Sequence, residues 1–125
     1  IVRLAAAAEE APEGTTALIA TDDPEAWDEA YLAEATRVDV DDERRIRHIG
    51  KLIDSWTAID AGAFACFPAT WSCVEVAPDD CDLSTVFRVA ANDGSLGAAD
   101  ISGTFWYDVD TEEDLQAAER LLRGS

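Results

Sequence analysis

The chain has 125 residues, 27 Asp plus Glu against 9 Lys plus Arg, one His and a formal net charge of −18, with 48% hydrophobic residues. That size supports one small domain with one modest core, and the apolar share excludes a disordered chain in spite of the charge. No stretch approaches the roughly 18 uncharged apolar residues of a membrane span, and so negative a surface repels phosphate backbones and anionic lipid heads, which excludes nucleic acid as the expected partner.

Residues 1–10 form an alanine-rich run with no breaker before Pro12, which predicts a helix already under way at Ile1. With no Met in the chain, the expectation is that sequence upstream has been lost or omitted. Residues 15–20 are short, apolar and β-tolerant, ended by Asp22, Asp23 and Pro24, and predict a buried strand. Residues 35–40 and 44–49 flank the acidic stretch Asp41, Asp42 and Glu43 and predict a β-hairpin, followed by a helical or irregular connection over 52–59. Residues 62–67, stopped by Pro68, predict a second buried strand. Leu83, Val86, Phe87, Val89 and Ala90 recur at near-helical spacing within 82–92, with Gly94 as the stop. Residues 96–101 and 104–109 then read as strands around Ser102 and Gly103.

The last element is marked at both ends. Thr111 can accept from an early backbone N–H, Glu112, Glu113 and Asp114 oppose the positive end of the dipole, and Arg120 and Arg123 oppose the negative end before Gly124. Its apolar face is Leu115, Ala118, Leu121 and Leu122. The mixture predicts an α/β class, interrupted by an antiparallel hairpin.

The basic residues are eight Arg and a single Lys, Lys51, while the acids spread from Glu9 to Glu119. A dispersed acidic surface poor in lysine predicts a soluble protein of a halophilic cytoplasm, where salt screens the self-repulsion. Cys66, Cys73 and Cys81 leave one thiol over under any pairing and show no C-x-x-C spacing, so buried reduced thiols are expected and zinc is not. His48 lies in the hairpin with no partner at a recognisable spacing, and the aromatic residues are read mainly as core.

The residues that point to chemistry are Phe105-Trp106-Tyr107-Asp108-Val109-Asp110-Thr111. On a strand, Asp108 and Asp110 would project to one face, and the carboxyl ends of strands in α/β sheets are where ligands collect. Two hard oxygen ligands suit Mg²⁺, which completes its shell with waters and substrate phosphates.

The stretch from Trp106 to Leu122 resembles the end of the nucleotidyltransferase domain of sugar- and alcohol-phosphate nucleotidyltransferases, especially the inositol-1-phosphate and phosphocholine cytidylyltransferases. Ile49-Gly50-Lys51-Leu52 and Ile59-Asp60-Ala61-Gly62-Ala63-Phe64-Ala65-Cys66 resemble two further segments of that family, with Ala61 where Thr is common, and Ala35-Thr36-Arg37-Val38 resembles its strand entering the hairpin. Order and spacing agree over residues 15–124. The resemblance implies the second half of a Rossmann-like domain: a mixed sheet with an inserted β-hairpin and a C-terminal helix. It implies transfer of a nucleoside monophosphate from an NTP to a small phosphorylated acceptor. Lys51 would reach the acceptor phosphate as the catalytic cation, Asp60 would accept from acceptor hydroxyls, Gly62 would allow close approach, Trp106 would line the acceptor pocket, and Asp108 and Asp110 would help hold Mg²⁺.

The family's Gly-rich loop, its following Lys and its mid-domain Asp have no counterpart here, and there is no G-x-G and no basic cluster to neutralise a triphosphate. Residues 1–125 therefore read as one partial domain without the nucleotide-binding N-terminal half, inactive alone. The alternative is a non-catalytic interaction or regulatory module that keeps the same fold.

Overall fold

A strand that must be hidden on both faces organises the molecule. In a computed structural model, which describes residues 1–80 and 82–124, β1 (Ala17–Asp22) is buried at every position. Its apolar run offers no polar face to water, so layers must cover it on both sides. β5 (Leu96–Asp100) lies parallel to it on one side and β4 (Ala58–Cys66) antiparallel on the other. The expected hairpin is formed by β2 (Arg37–Val40) and β3 (Ile46–Gly50), and the sheet order is β3-β2-β4-β1-β5. This is the mixed sheet of an α/β fold.

One face carries Ile19, Val38, Ile46 and Leu96, packed against α3 (Thr70–Val76) and α4 (Leu83–Asn92) through Cys73, Val86 and Phe87. On the other face, Leu4 of α1 (Val2–Glu10) packs with Leu18, Ala20 and Ala99 above the small side chains of Ala61, Ala63 and Ala65. The α4 start is capped by Asp82, whose carboxylate accepts the Thr85 N–H at 2.9 Å. At α5 (Glu112–Arg123) the expected cap is a full capping box: Thr111 accepts from the Asp114 N–H, and the Asp114 carboxylate accepts from the Thr111 N–H.

The sheet also curls until its ends touch. Arg44, in the left-handed region at φ 63°, directs its carbonyl to the Ala98 N–H at 2.9 Å, and Arg45 forms an antiparallel bridge with Gly97. Gly97 leaves room for the Leu18 side chain of β1, because a Cβ at that position would sit 2.5 Å from Leu18 Cδ2.

Several expectations are corrected. Residues 104–109 are not a strand: β5 ends at Asp100, Gly103 turns the chain at φ 85°, and 105–110 run on without a ladder partner among the described residues. The strand expected over 62–67 starts earlier, at Ala58, and is only partly buried, with Gly62, Phe64 and Cys66 exposed. Gly62, at φ 77°, supplies the irregularity that shifts the β1–β4 register between Ile19 and Thr21. On α5 only Ala118 is buried, while Leu115, Leu121 and Leu122 are largely exposed. Cys73 is a buried free thiol, Cys66 is an exposed one, and Cys81 lies outside the described residues. His48 is exposed in the hairpin, but it has a cross-strand partner, Asp39 at 3.4 Å, which spacing along the chain could not reveal. A 3₁₀ turn (Pro24–Ala26), α2 (Glu29–Glu34) and α3 are elements with no counterpart in the sequence reading.

Ile19 is wholly buried in the α3–α4 face, so Ile19→Ala should lower the unfolding free energy by about 2–5 kcal/mol. Thr111→Ala should cost about 1 kcal/mol through the lost cap. Urea denaturation followed by far-ultraviolet circular dichroism measures both.

Candidate acceptor and metal site

The parallel strands β1 and β5 end side by side, with Thr21 paired to Asp100, and the chain leaving β5 returns across the end of β1. That return is fixed by one carboxylate. Asp22 is 5% exposed, and its Oδ2 accepts the indole N–H of Trp106 at 2.7 Å and that of Trp27 at 3.0 Å, while its Oδ1 accepts the Asp23 N–H at 2.8 Å. The two indoles lie 4.8 Å apart, and Trp27 also stacks on Tyr31 at 4.1 Å and meets Tyr107 at 5.8 Å. The result is an aromatic wall along an open hollow. Asp28 begins α2 by accepting the Tyr31 N–H at 2.8 Å, which sets the ring of Tyr31 in that wall.

All six residues singled out from the sequence, Lys51, Asp60, Gly62, Trp106, Asp108 and Asp110, line this hollow. Asp108 and Asp110 arrive there on an irregular segment and not by strand alternation; its far end is held by the Asp110 N–H donating to Asp114 at 3.1 Å. Asp60 sits where β4 turns at Gly62, whose N–H donates to its Oδ1 at 2.7 Å. Burial pushes the Asp60 carboxyl above its usual range, the Gly62 N–H opposes that, and the charge of Asp108 adds to it. The Tyr31 phenol is pushed up to about 12, first by burial and then by Asp108, Tyr107, Asp60 and Asp110. Three carboxylates thus bear on one ring. Among the described residues no three His, Cys, Asp or Glu side chains converge as a ready-made cation cage. The donor chemistry nevertheless fits: hard oxygens of Asp108 and Asp110 face the same open hollow as Asp60 and so favour a divalent cation that keeps part of its water shell.

The sequence reading missed Asp22, Trp27, Tyr31 and Tyr107 as parts of this wall. Asp22 was visible as the acid closing an apolar strand, and the pattern Asp28-Glu29-Ala30-Tyr31-Leu32 carried a helix-start signal.

Comparison with known proteins gives the fold a context. No protein-family model matches the chain. It is 34% identical over 95 residues to a bifunctional IPC transferase and DIPP synthase of Thermococcus kodakarensis, an alignment covering 73% of this chain and 21% of that protein. It is 33% identical over 89 residues to the bifunctional IPC transferase and DIPP synthase of Aquifex aeolicus, covering 71% of this chain and 20% of that protein. Among solved structures it superposes on the inositol-1-phosphate CTP transferase of T. maritima with a TM-score of 0.70 at 23% identity, covering 94% of this chain and 49% of the other. The chain belongs to the nucleotidyltransferase family. A second family structure, CMP:2-keto-3-deoxy-manno-octonic acid synthetase complexed with CTP, superposes with a TM-score of 0.65 at 13% identity, covering 97% of this chain and 54% of that one. The chain therefore spans about a fifth of the length of the curated relatives and about half of the solved ones.

Within this nucleotidyltransferase segment Asp22 should be the most sensitive polar position. Asp22→Ala leaves two indole N–H groups without their charged acceptor, and the expected loss is at least about 2 kcal/mol of unfolding free energy, with a changed near-ultraviolet circular dichroism spectrum. An unaltered spectrum would refute the clamp. For Tyr31 the folded value of about 12 stands above the ordinary 10.0. Its contribution to stability is therefore complete below about 10 and lost as pH rises towards 12. Alkaline unfolding of Tyr31→Phe should lack this loss, and phenolate absorbance should show one tyrosine titrating late.

Proposed function

We propose that this chain is the acceptor-binding and metal-completing part of a nucleotidyltransferase. The enzyme would move a nucleoside monophosphate from an NTP to a sugar-, polyol- or choline-type phosphate, with release of pyrophosphate. The observation that carries this reading is the convergence of Lys51, Asp60, Asp108 and Asp110 on one hollow at the carboxyl ends of β1 and β5. The likeness to an inositol-1-phosphate CTP transferase supports a polyol phosphate within that range. The aromatic wall suits the flat side of a sugar or polyol ring and, through its π faces, a cationic headgroup.

The triphosphate cradle is assigned to a nucleotide-binding part outside this sequence. The outer side of β4 supports this division: β2 pairs with it only at Ala58 and Ile59, so among the described residues no ladder covers it beyond Asp60. The lysine-poor acidic surface supports a salt-rich cytoplasmic setting, where screening relieves self-repulsion.

In the proposed reaction a phosphate oxygen of the acceptor forms a bond to the α-phosphorus of the NTP. The bond from that phosphorus to the bridging oxygen breaks, and pyrophosphate leaves with the electron pair. Lys51 holds the acceptor phosphate by charge, as a compact ammonium can. Asp60 has one oxygen engaged by Gly62 and offers the other to an acceptor hydroxyl. Gly62 lacks a Cβ, and an added one would meet nothing within 4 Å, so the acceptor can approach the backbone there. Trp106 closes the side of the site. Asp108 and Asp110 would hold Mg²⁺, which when bound neutralises charge on the reacting phosphates. The catalysis is positioning and electrostatics.

In enzyme reconstituted with its nucleotide-binding part, Asp108→Ala should lower turnover at least about 10²-fold. Turnover near that of the unaltered enzyme would take the acid pair out of the site.

A further inference from the structure

Arg37 opens β2 directly opposite Gly50 of β3 and Ile59 of β4, and Ile59 is opposite Asp22 of β1. Opposed residues share a face of the sheet. One row therefore runs from the residue before Lys51, through Arg37 and Ile59, to the carboxylate that anchors Trp106. It lies on the face opposite Val38 and Ile49, away from the α3–α4 core, and Thr36 and Lys51, the chain neighbours of Arg37 and Gly50, line the hollow.

Four arginines elsewhere are engaged in ways that Arg37 is not. Arg45 and Arg47 hold Asp41, Arg45 also meets Glu43, Arg123 faces Glu119, and Arg3 donates to the Ser102 carbonyl. Arg37 lies with its guanidinium over the ring of Trp56, 4.9 Å from the centroid, and its buried Nε has no hydrogen-bond partner among the described residues. In a chain with 27 acids, a guanidinium left on a ring instead of a carboxylate keeps its donors available. The ring restricts the plane without consuming a hydrogen bond.

Charge balance points the same way. A phosphomonoester carries about −1.5 to −2 near neutral pH, and the hollow it must enter is walled by Asp22, Asp60, Asp108 and Asp110. The single positive charge of Lys51 leaves part of that repulsion unanswered, and a second cation on the adjoining strand, opposite Gly50, answers the rest.

We propose that Arg37 and Lys51 together form a two-cation anchor for the acceptor's phosphate, with Lys51 as the point charge and Arg37 as the directional fork that swings off Trp56 to meet it. This inference rests on the nucleotidyltransferase reading, in which Lys51 meets the acceptor. Arg37 is a binding residue in it, not a participant in phosphoryl transfer.

The test is an NMR titration of the chain with inorganic phosphate at constant ionic strength, observing the Arg37 Nε–H and Trp56 indole N–H resonances. Both should move on binding. Arg37→Ala and Lys51→Ala should each weaken phosphate binding about tenfold or more, the loss expected for a charge-assisted contact. Arg37→Lys, which keeps the charge and loses the fork, should recover part of it and also guards against a folding defect in the alanine variant. Unchanged affinity in Arg37→Ala with a static Trp56 signal overturns the anchor, and so does the absence of any phosphate binding. The two readings fail separately. Loss of binding in Arg37→Ala with full turnover in Asp108→Ala keeps the anchor and removes the acid pair, whereas the reverse pattern keeps the acid pair and removes the anchor.

Discussion

A single buried carboxylate sets the geometry on which the site depends. Asp22 gathers two indole N–H groups onto one oxygen, one from Trp27 nearby and one from Trp106, 84 residues further along. A polar acceptor with little access to water is costly unless its lone pairs are met, and here three donors from two stretches of the chain meet them. The segment 105–110 has no ladder to define its path. Its course is fixed by Trp106 at one end and by the Asp114 cap at the other. The placement of Asp108 and Asp110 is thus a second-order result of how Asp22 is satisfied.

Around that anchor the molecule concentrates like charge. Asp60 lies within the field of Asp108, and both act on the Tyr31 phenol together with Asp110. Such an arrangement is relieved when a cation enters, so the mutual repulsion of these groups is a bias towards binding positive charge. The opposite arrangement holds at the hairpin tip. There Asp41 accepts first from the Arg45 N–H and further from Arg47 and the Glu43 N–H, which keeps its carboxyl below the usual range. That carboxylate closes a turn and is chemically spent, whereas at the hollow Asp60 has only one oxygen engaged, by Gly62, and Asp108 and Asp110 line the open space.

What could be read from the residues followed from local physics. β1, the hairpin, α4 and α5 each carry their own evidence: an unbroken apolar run, alternation, near-helical spacing, and a Thr-x-x-Asp cap. The candidate residues were legible because they lie in short segments with a family likeness, and the fold brings all six to one hollow. The failures have physical causes. Residues 104–109 have the composition of a strand, but composition does not show that the neighbouring place in the sheet is vacant. α3 has Ala69 at its N-cap and no side-chain cap, so nothing marks its start except Pro68 nearby. The aromatic wall was hidden because Trp27, Tyr31 and Trp106 look like core residues until Asp22 is seen between the indoles.

The contact between Arg44 and Ala98 has a bearing on self-association. Exposed backbone on a border strand invites copies of a protein to stack side by side into fibres. Along β5 that opportunity is reduced, since the Arg44 carbonyl already occupies the Ala98 amide and the Arg45 bridge screens Gly97. Polymerisation through this flank would first require the hairpin tip to be prised away, so the curl works as a guard against amyloid-like growth, while the stretch of β4 beyond Asp60 that β2 leaves uncovered stays receptive to a legitimate neighbour.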